Sequence, residues 1–527
     1  MSNSRGKSRT NAAPRKRNKA VIIALLVIVV LFVAAVIINS TAVRKKATAI
    51  EVNGMKFSAS EYRFFYVSAV SEYTSYINST FGESASSILP SNDKPLEAQT
   101  NPMTGQNWAE FYDQTAIETL QLFSGSYQEA VAAGHTVSDE DYAKVDEEIT
   151  SLVEQVELYY GITFSDFINM QFGSKSGIDE AFYRNMSKKQ YFANSYAKAV
   201  NDARTYTSEE LAAYYSEHRD ETDIFKYRYF TVRAENILNV ADFESVEAYE
   251  EADKALIEEA RAKAADYVAT ITDEQDFIQK ARELDSEIYE KEISTLNHTV
   301  GRDLTTTFAA WAKDPVRKLG DMCSEPANED ESANRAFFVV FFNERLDNKY
   351  PTANIELLLL TGQTINSDDY MGDDEVLNET AYNAEVEHSQ AQLKLKADEL
   401  FAEWEANGGT VEYIKDYAEA NTSVIYGSLE EFSATLSYSP YENLAHSYNE
   451  DDLADAWMHD PARKPGDIAV VASTNPNSYF LMYYTGLGMN YCDYLADSAI
   501  REEDRIAWED SFIVPDAVHT RWGMKLI

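Results

Sequence analysis

The 527-residue sequence predicts an α+β protein: one amino-terminal transmembrane helix, a helical domain, and two tandem α+β domains. Three observations predict it. An unbroken apolar run lies near the start, helical spacing gives way to strand-like alternation at Phe225, and a twelve-residue phrase recurs later in the chain. At roughly 150 residues per domain, the length agrees with three or four domains. Hydrophobic residues make up 45% and charged residues 25%, with only 20 Gly and 12 Pro, which excludes collagen-like and broadly disordered chains.

The apolar run is Ala20 to Ile38, nineteen residues without a polar interruption, close to the ~20 needed for a helix to span a bilayer. Residues 1–46 hold ten basic residues and no acid. Bases before the run place residues 1–19 as a basic cytoplasmic tail, residues 20–39 as a signal anchor, and the rest outside the cell membrane. A cleaved signal peptide fits less well, because the run exceeds the ~7–15 residues of such cores and Ile37-Ile38-Asn39-Ser40 is no small-residue cleavage site.

Net charge is −42, and beyond residue 46 there are 36 bases against 88 acids. Nucleic acid is therefore not an expected partner, since phosphate contacts require a basic face. Cys323 and Cys492 are too few for a disulfide framework. The seven histidines (His135, His218, His298, His388, His446, His459 and His519) show no HExxH or Cys-adjacent spacing, so neither metal nor cofactor is expected. The acidic run Asp368, Asp369, Asp373, Asp374 and Glu375 fails the calcium-loop pattern, with Gly372 out of place, and reads as a solvated loop.

Helical spacing starts at Glu51 and is clearest in Phe57–Val67 and Ala116–Phe123. Residues 85–107, rich in Ser, Asn, Pro and Gly, read as a loop. Ser138 with acids at 139–141 starts a helix to about 159, Gly161 ends it, Ser165 and Asp166 start another, and a further helix covers 178–201. Thr207 caps the last helix of a domain spanning 47–219.

Alternation in Phe225–Val232 marks a strand, helices follow at 248–268, 274–284 and 305–313, and Gly320 introduces two strands ending at Phe342. This β-α-α-α-β-β unit, residues 220–349, recurs at 350–499. Ala310-Trp311-Ala-Lys-Asp314-Pro315-Val-Arg317-Lys318-Leu-Gly320-Asp321 is echoed, 146 positions on, by Ala456-Trp457-Met-His-Asp460-Pro461-Ala-Arg463-Lys464-Pro-Gly466-Asp467, with eight identities in twelve. Phe338–Phe342 matches Phe480–Tyr484, and the strand at 225–232 matches 354–360. Residues 500–527 form an amphipathic helix and tail that can return to the helical domain.

The repeated Trp311, Asp314, Arg317, Gly320 and Asp321, and Trp457, Asp460, Arg463, Gly466 and Asp467, read as scaffold. Asp-Pro ends a helix, the cations sit at its carbonyl end, glycine turns the chain, and tryptophan anchors the helix to the sheet. Ligand contact through the indole face is the alternative.

From about residue 51 onward the sequence resembles the SurA/PrsA-type extracytoplasmic foldases, through Val52-Asn53-Gly54-Met-Lys-Phe-Ser58, Gly134-His-Thr-Val-Ser-Asp-Glu-Asp141, Tyr206-Thr-Ser-Glu-Glu-Leu-Ala-Ala-Tyr-Tyr215 and the order of domains. The resemblance implies a helical chaperone domain followed by two parvulin-like peptidyl-prolyl isomerase domains. It also marks a departure. Parvulin pockets carry one histidine in the first strand, in an Arg-His-Ile-Leu-like phrase, and another in the last. Here Arg228 matches the arginine, but Tyr229 and Phe338 take the histidine positions of the first unit, and Leu357 and Phe480 those of the second.

No catalytic residue is therefore assigned, and these four become candidate polypeptide-binding residues. In the helical part, Tyr62, Phe64, Phe65, Tyr66, Tyr73 and Tyr76 offer aromatic faces for unfolded chains or for a bundle interior. The expected function is that of a membrane-anchored foldase or holdase for newly exported, unfolded polypeptides. The alternatives are an active parvulin-type isomerase, twisting a desolvated prolyl amide in an apolar pocket, and a non-catalytic scaffold for a secretion or cell-wall partner.

Overall fold

A computed structural model describes residues 40–234, 239–328, 334–362, 364–372, 377–421, 434–449, 452–475 and 477–527. The basic tail, the apolar run at 20–38 and Asp373–Glu375 lie outside the described residues. Among those described, no helix is long and apolar enough to cross a membrane. Helices combine with three antiparallel sheets, an α+β architecture. The chain divides into two compact units: residues up to Thr205 together with Arg501–Ile527, and Tyr206–Ile500.

After a single helical turn, Thr41–Arg44, the first unit forms a hairpin of β1 (Thr48–Val52) and β2 (Met55–Ser58), so the helix expected from Glu51 begins only beyond it. Asn53 and Gly54 both take positive φ, +50° and +80°, the Asn-Gly turn whose twist suits a two-residue hairpin. Ile50 and Val52 are buried on either side of the half-exposed Glu51, so the local period is two rather than 3.6. Ser58 then closes a capping box with Glu61 and starts α1 (Ala59–Phe81).

A single helical turn, Ala85–Ile88, stands at the start of the stretch read as a loop, and four longer helices follow: α2 (Trp108–Ala132), α3 (Asp139–Tyr160), α4 (Phe164–Phe172) and α5 (Glu180–Asp202). Ser138 caps α3 and Gly161 ends it in the left-handed region; Thr163, rather than Ser165, caps α4, and Asp179 caps α5. Tyr62, Phe64 and Phe65 are buried in the shared core, where Phe65 meets Phe123 with ring centroids 4.9 Å apart. These three are bundle interior, whereas Tyr76 is exposed.

The carboxy-terminal segment completes this unit. Arg501 donates to the carbonyls of Asn201 (2.6 Å) and Arg204 (3.0 Å), and Trp508 Nε1 donates to Glu129 (3.0 Å). Phe512 lies so close to Gly125 of α2 that a Cβ there would fall 2.2 Å from its ring. Residues Val518–Thr520 add a third strand to the sheet beside β1.

In the second unit α6 (Ser208–Glu217), with a Thr207 capping box, precedes two similar modules. The first contains β3 (Ile224–Arg233), α7 (Val246–Thr270), α8 (Glu274–Leu284), β4 (Leu296–Val300), α9 (Ala309–Lys313), β5 (Met322–Pro326) and β6 (Ala336–Leu346). The second contains β7 (Pro351–Gly362), α10 (Glu379–Ala406), α11 (Val411–Asn421), β8 (Ala434–Leu444), α12 (Leu453–Met458), β9 (Ile468–Ala472) and β10 (Ser478–Asn490). The sheet orders are β4-β3-β6-β5 and β8-β7-β10-β9, the same topology twice. Each module has one strand more than the sequence pattern indicates. Strand β4 reads Leu-Asn-His-Thr-Val and is half-buried throughout, so it shows no apolar alternation.

Each sheet has two covered faces. In the first module Phe230, Val232, Phe337, Val339 and Phe341 pack under α7 and α8. The alternate residues Phe225, Tyr227, Val340 and Phe342 meet Phe308 and Ala312 around α9. In the second, Leu358, Leu360 and Leu481 meet α10 and α11, while Ile355, Met482 and Tyr484 meet Ala454 and Met458 of α12.

Candidate functional site

The four candidate polypeptide-binding residues, Tyr229, Phe338, Leu357 and Phe480, lie on the short-helix face of each sheet, partly buried at the edge of its apolar cluster. Their registers coincide. Tyr229 precedes by two residues Thr231, which pairs with Phe338; Leu357 precedes by two Leu359, which pairs with Phe480. Both pairs are thus diagonal neighbours on one face, within reach of large side chains. In the first module Tyr229 and Phe338 meet edge to face at 5.4 Å, and Phe308 lies against both, 6.2 and 5.5 Å away.

Tyr229 also borders a cavity of about 390 Å³ whose walls include Thr231, Leu284, Ile288 and Tyr289. Cys323 packs into the same cluster as Tyr229 and Phe338, a neighbour the sequence did not reveal. Burial pushes its thiol up to about 12, so it holds its proton at neutral pH. Cys492 is likewise a free thiol.

Arg228 points to the opposite face. It is buried and donates to Glu274 (2.6 Å), to Thr295 (3.0 Å) and to the carbonyl of Glu292 (2.8 Å). It ties the start of α8 to the chain before β4, away from the apolar pair. His298 lies on β4 opposite Lys226 and stacks on Tyr448 at 4.6 Å. Burial, then the charges of Lys226 and Arg228, lower its pKa to about 4. It is a neutral ring outside the apolar cluster.

The repeated motif builds the same lock in both modules. The guanidinium of Arg317 covers the ring of Trp311 at 4.9 Å, and that of Arg463 covers Trp457 at 4.2 Å. Arg317 is paired with Asp314 (3.4 Å) and Asp321 (3.6 Å), Arg463 with Asp460 (3.8 Å) and Asp467 (3.4 Å). Gly320 (φ +89°) and Gly466 (φ +96°) make the turn, and their N–H groups donate to the carbonyls of Phe342 (3.0 Å) and Tyr484 (2.9 Å). Trp311 then packs edge-on to Phe342, and Trp457 edge-on to Tyr484, each at 6.4 Å. With its indole face already covered by arginine, the motif holds a helix on the sheet beside the apolar pair.

In the helical unit, two clefts flank α1. One of about 290 Å³ is lined by Val67, Phe167, Phe172 and Tyr183, the other, of about 260 Å³, by Phe65, Leu122, Phe123, Trp508 and Phe512. Glu72 lies on both. Exposed apolar side chains also crowd the end of α3, where Leu158, Tyr159 and Tyr160 are each more than 70% exposed.

Among the described residues, one set of possible metal ligands comes together: His446, Asp455 and His459, whose ligating atoms lie within 4.8 Å of one another. Histidine spacing, from which no metal was expected, does not reveal it, because His446 comes from a preceding loop and only Asp455 and His459 stand four apart.

No protein-family model matches this chain, and no curated protein matches it. Among solved structures, the foldase protein PrsA from Streptococcus pneumoniae is similar over 50% of this chain and 78% of its own, at 13% identity and a TM-score of 0.24.

Proposed function

We propose that this chain binds unfolded, newly translocated polypeptides as a foldase-type chaperone, tethered to the outer side of a membrane by residues 20–39. The observation that carries the reading is the recurrence of Tyr229/Phe338 and Leu357/Phe480 at the same diagonal register, on the same sheet face, in both modules. Such pairs supply apolar contact without an imidazole or thiolate, which suits transient binding rather than bond chemistry. Aromatic clefts beside α1 extend the same chemistry to the helical unit. The acidic body keeps client-laden molecules soluble and apart.

The test uses the full-length chain in nanodiscs with two clients, one that aggregates independently of proline and one whose refolding is limited by proline isomerisation. Suppressed aggregation at near-stoichiometric ratio, with an unchanged slow proline phase, is expected. Absence of suppression at molar excess would refute the reading, and acceleration of the slow phase would move the protein to the isomerases.

A further inference from the structure

We propose that His446, Asp455 and His459 form a binding site for one divalent transition-metal ion of the zinc type. The three side chains converge from two segments, the loop after β8 and the short helix α12, with Asp455 in its first turn and His459 at its C-cap, and their ligating atoms lie within 4.8 Å of one another. His446 Nδ1 is 3.3 Å from Asp455 Oδ2, and His459 Nε2 is 3.5 Å from Asp455 Oδ1. Ligands bound tetrahedrally at ~2.0–2.1 Å stand about 3.4 Å apart, which these two spacings match.

The second observation is the state of His459. Its side chain is only 6% exposed, yet Nε2 has no hydrogen-bond partner. Nε2 faces Oδ1 of the Asp455 carboxylate across 3.5 Å. Buried polar groups without partners are rare, and an ion held between this nitrogen and the carboxylate would satisfy both. Asp455 is held in place by the Ser447 N–H, which donates to Oδ1 at 3.0 Å.

Aromatic rings wall the cluster. Tyr350 lies 4.8 Å from His446 and 6.4 Å from His459, and Tyr448 lies 5.6 Å from His446. Two imidazoles and one carboxylate suit zinc and its first-row neighbours over calcium or magnesium, which prefer all-oxygen shells. A water completes the fourth position. The bound ion would pin the loop after β8 to α12. The first module has no counterpart, because Ala309 and Lys313 stand 146 positions before Asp455 and His459.

The test titrates full-length, chelator-stripped protein with Zn²⁺ by calorimetry, in excess Mg²⁺ to occupy the many surface acids. One saturable site per chain is expected. Loss of an outer partner typically weakens a metal site 10–100-fold, so losing direct ligands in His446→Ala/His459→Ala should weaken it by at least ~100-fold. His388→Ala/His519→Ala should bind as the parent does. Should the double variant fold poorly, Asp455→Asn and the visible spectrum of Co²⁺-loaded parent protein decide: a tetrahedral band lost in Asp455→Asn supports the site. Absence of saturable Zn²⁺ binding in the parent, or equal binding by parent and ligand variants, would overturn it.

Discussion

The two modules of the second unit repeat one topology, but they differ in which parts are held in common. Their shared part is the lock: Trp, Asp, Arg, Gly and Asp recur with the same stacking, ion pairs and turn geometry. Their surroundings diverge. Tyr229 corresponds to Leu357 on the apolar face, and Arg228 corresponds to Glu356 on the helix-covered face. Buried Arg228 serves three partners, whereas Glu356 accepts one hydrogen bond, from Tyr438 at 2.6 Å. Asp455 and His459 face each other where the first module has Ala309 and Lys313. The local lock that seats a helix on the sheet is retained, while the residues around it are free to specialise.

The largest predicted effect tests that asymmetry. Arg228→Met removes a buried cation and leaves Glu274 with Asn343 as a remaining partner, which should cost about 3 kcal/mol. Glu356→Gln can keep its bond to Tyr438 and should cost less than about 1 kcal/mol. Urea unfolding of both variants measures the difference. Equal losses would mean that the two modules rest on equivalent polar supports.

Next in size, Trp311→Ala and Trp457→Ala should each cost about 2 kcal/mol, below the ~3–5 of a fully buried aromatic because both indoles are half-buried. The two losses should agree to within about 1 kcal/mol in the same unfolding experiment. A wide gap would break the equivalence of the locks.

Much of this was legible in the sequence, for a physical reason. Capped helices such as those begun by Ser138 and Thr207, and the phrase around Trp311 and Trp457, are fixed by neighbours close along the chain, so local pattern carries them. The hairpin at Thr48–Ser58 was also signalled, by Asn53-Gly54, yet the helical spacing read from Glu51 onward and clearest from Phe57 masks it. Strand β4 was not legible, since its place is set by pairing with β3 some 70 residues earlier. The same holds for Cys323 beside Phe338 and for His446 beside His459, contacts that only the tertiary fold creates.

A smaller effect concerns pH and the edge strand β4. His298 is faced by Lys226, Arg228 and the ring of Tyr448. Its pKa is about 4 when folded, against ~6.5 for an unperturbed histidine. The unfolded chain therefore takes up a proton first as pH falls, so the stability held above pH ~6.5 is progressively lost towards pH ~4. The ring is half-buried, and solvent screening reduces the contribution to the order of 1–2 kcal/mol. His298→Gln should flatten the stability profile across this window in chelator-treated protein. Unchanged slopes would show that other groups set the acid response.

The smallest expected effect separates charge from shape within the lock. In Arg317→Lys and Arg463→Lys the positive charge remains, but a planar guanidinium can lie on an indole and bridge two carboxylates, whereas an ammonium cannot do both. The Arg463–Trp457 contact is shorter than that of Arg317–Trp311, 4.2 against 4.9 Å. Arg463 also donates from Nε to the Trp457 carbonyl at 3.1 Å. Each substitution should cost about 0.5–1 kcal/mol, with Arg463→Lys the larger of the two in denaturant unfolding. The reverse order would place the main role of the arginine in its ion pairs with Asp314, Asp321, Asp460 and Asp467 rather than on the indole.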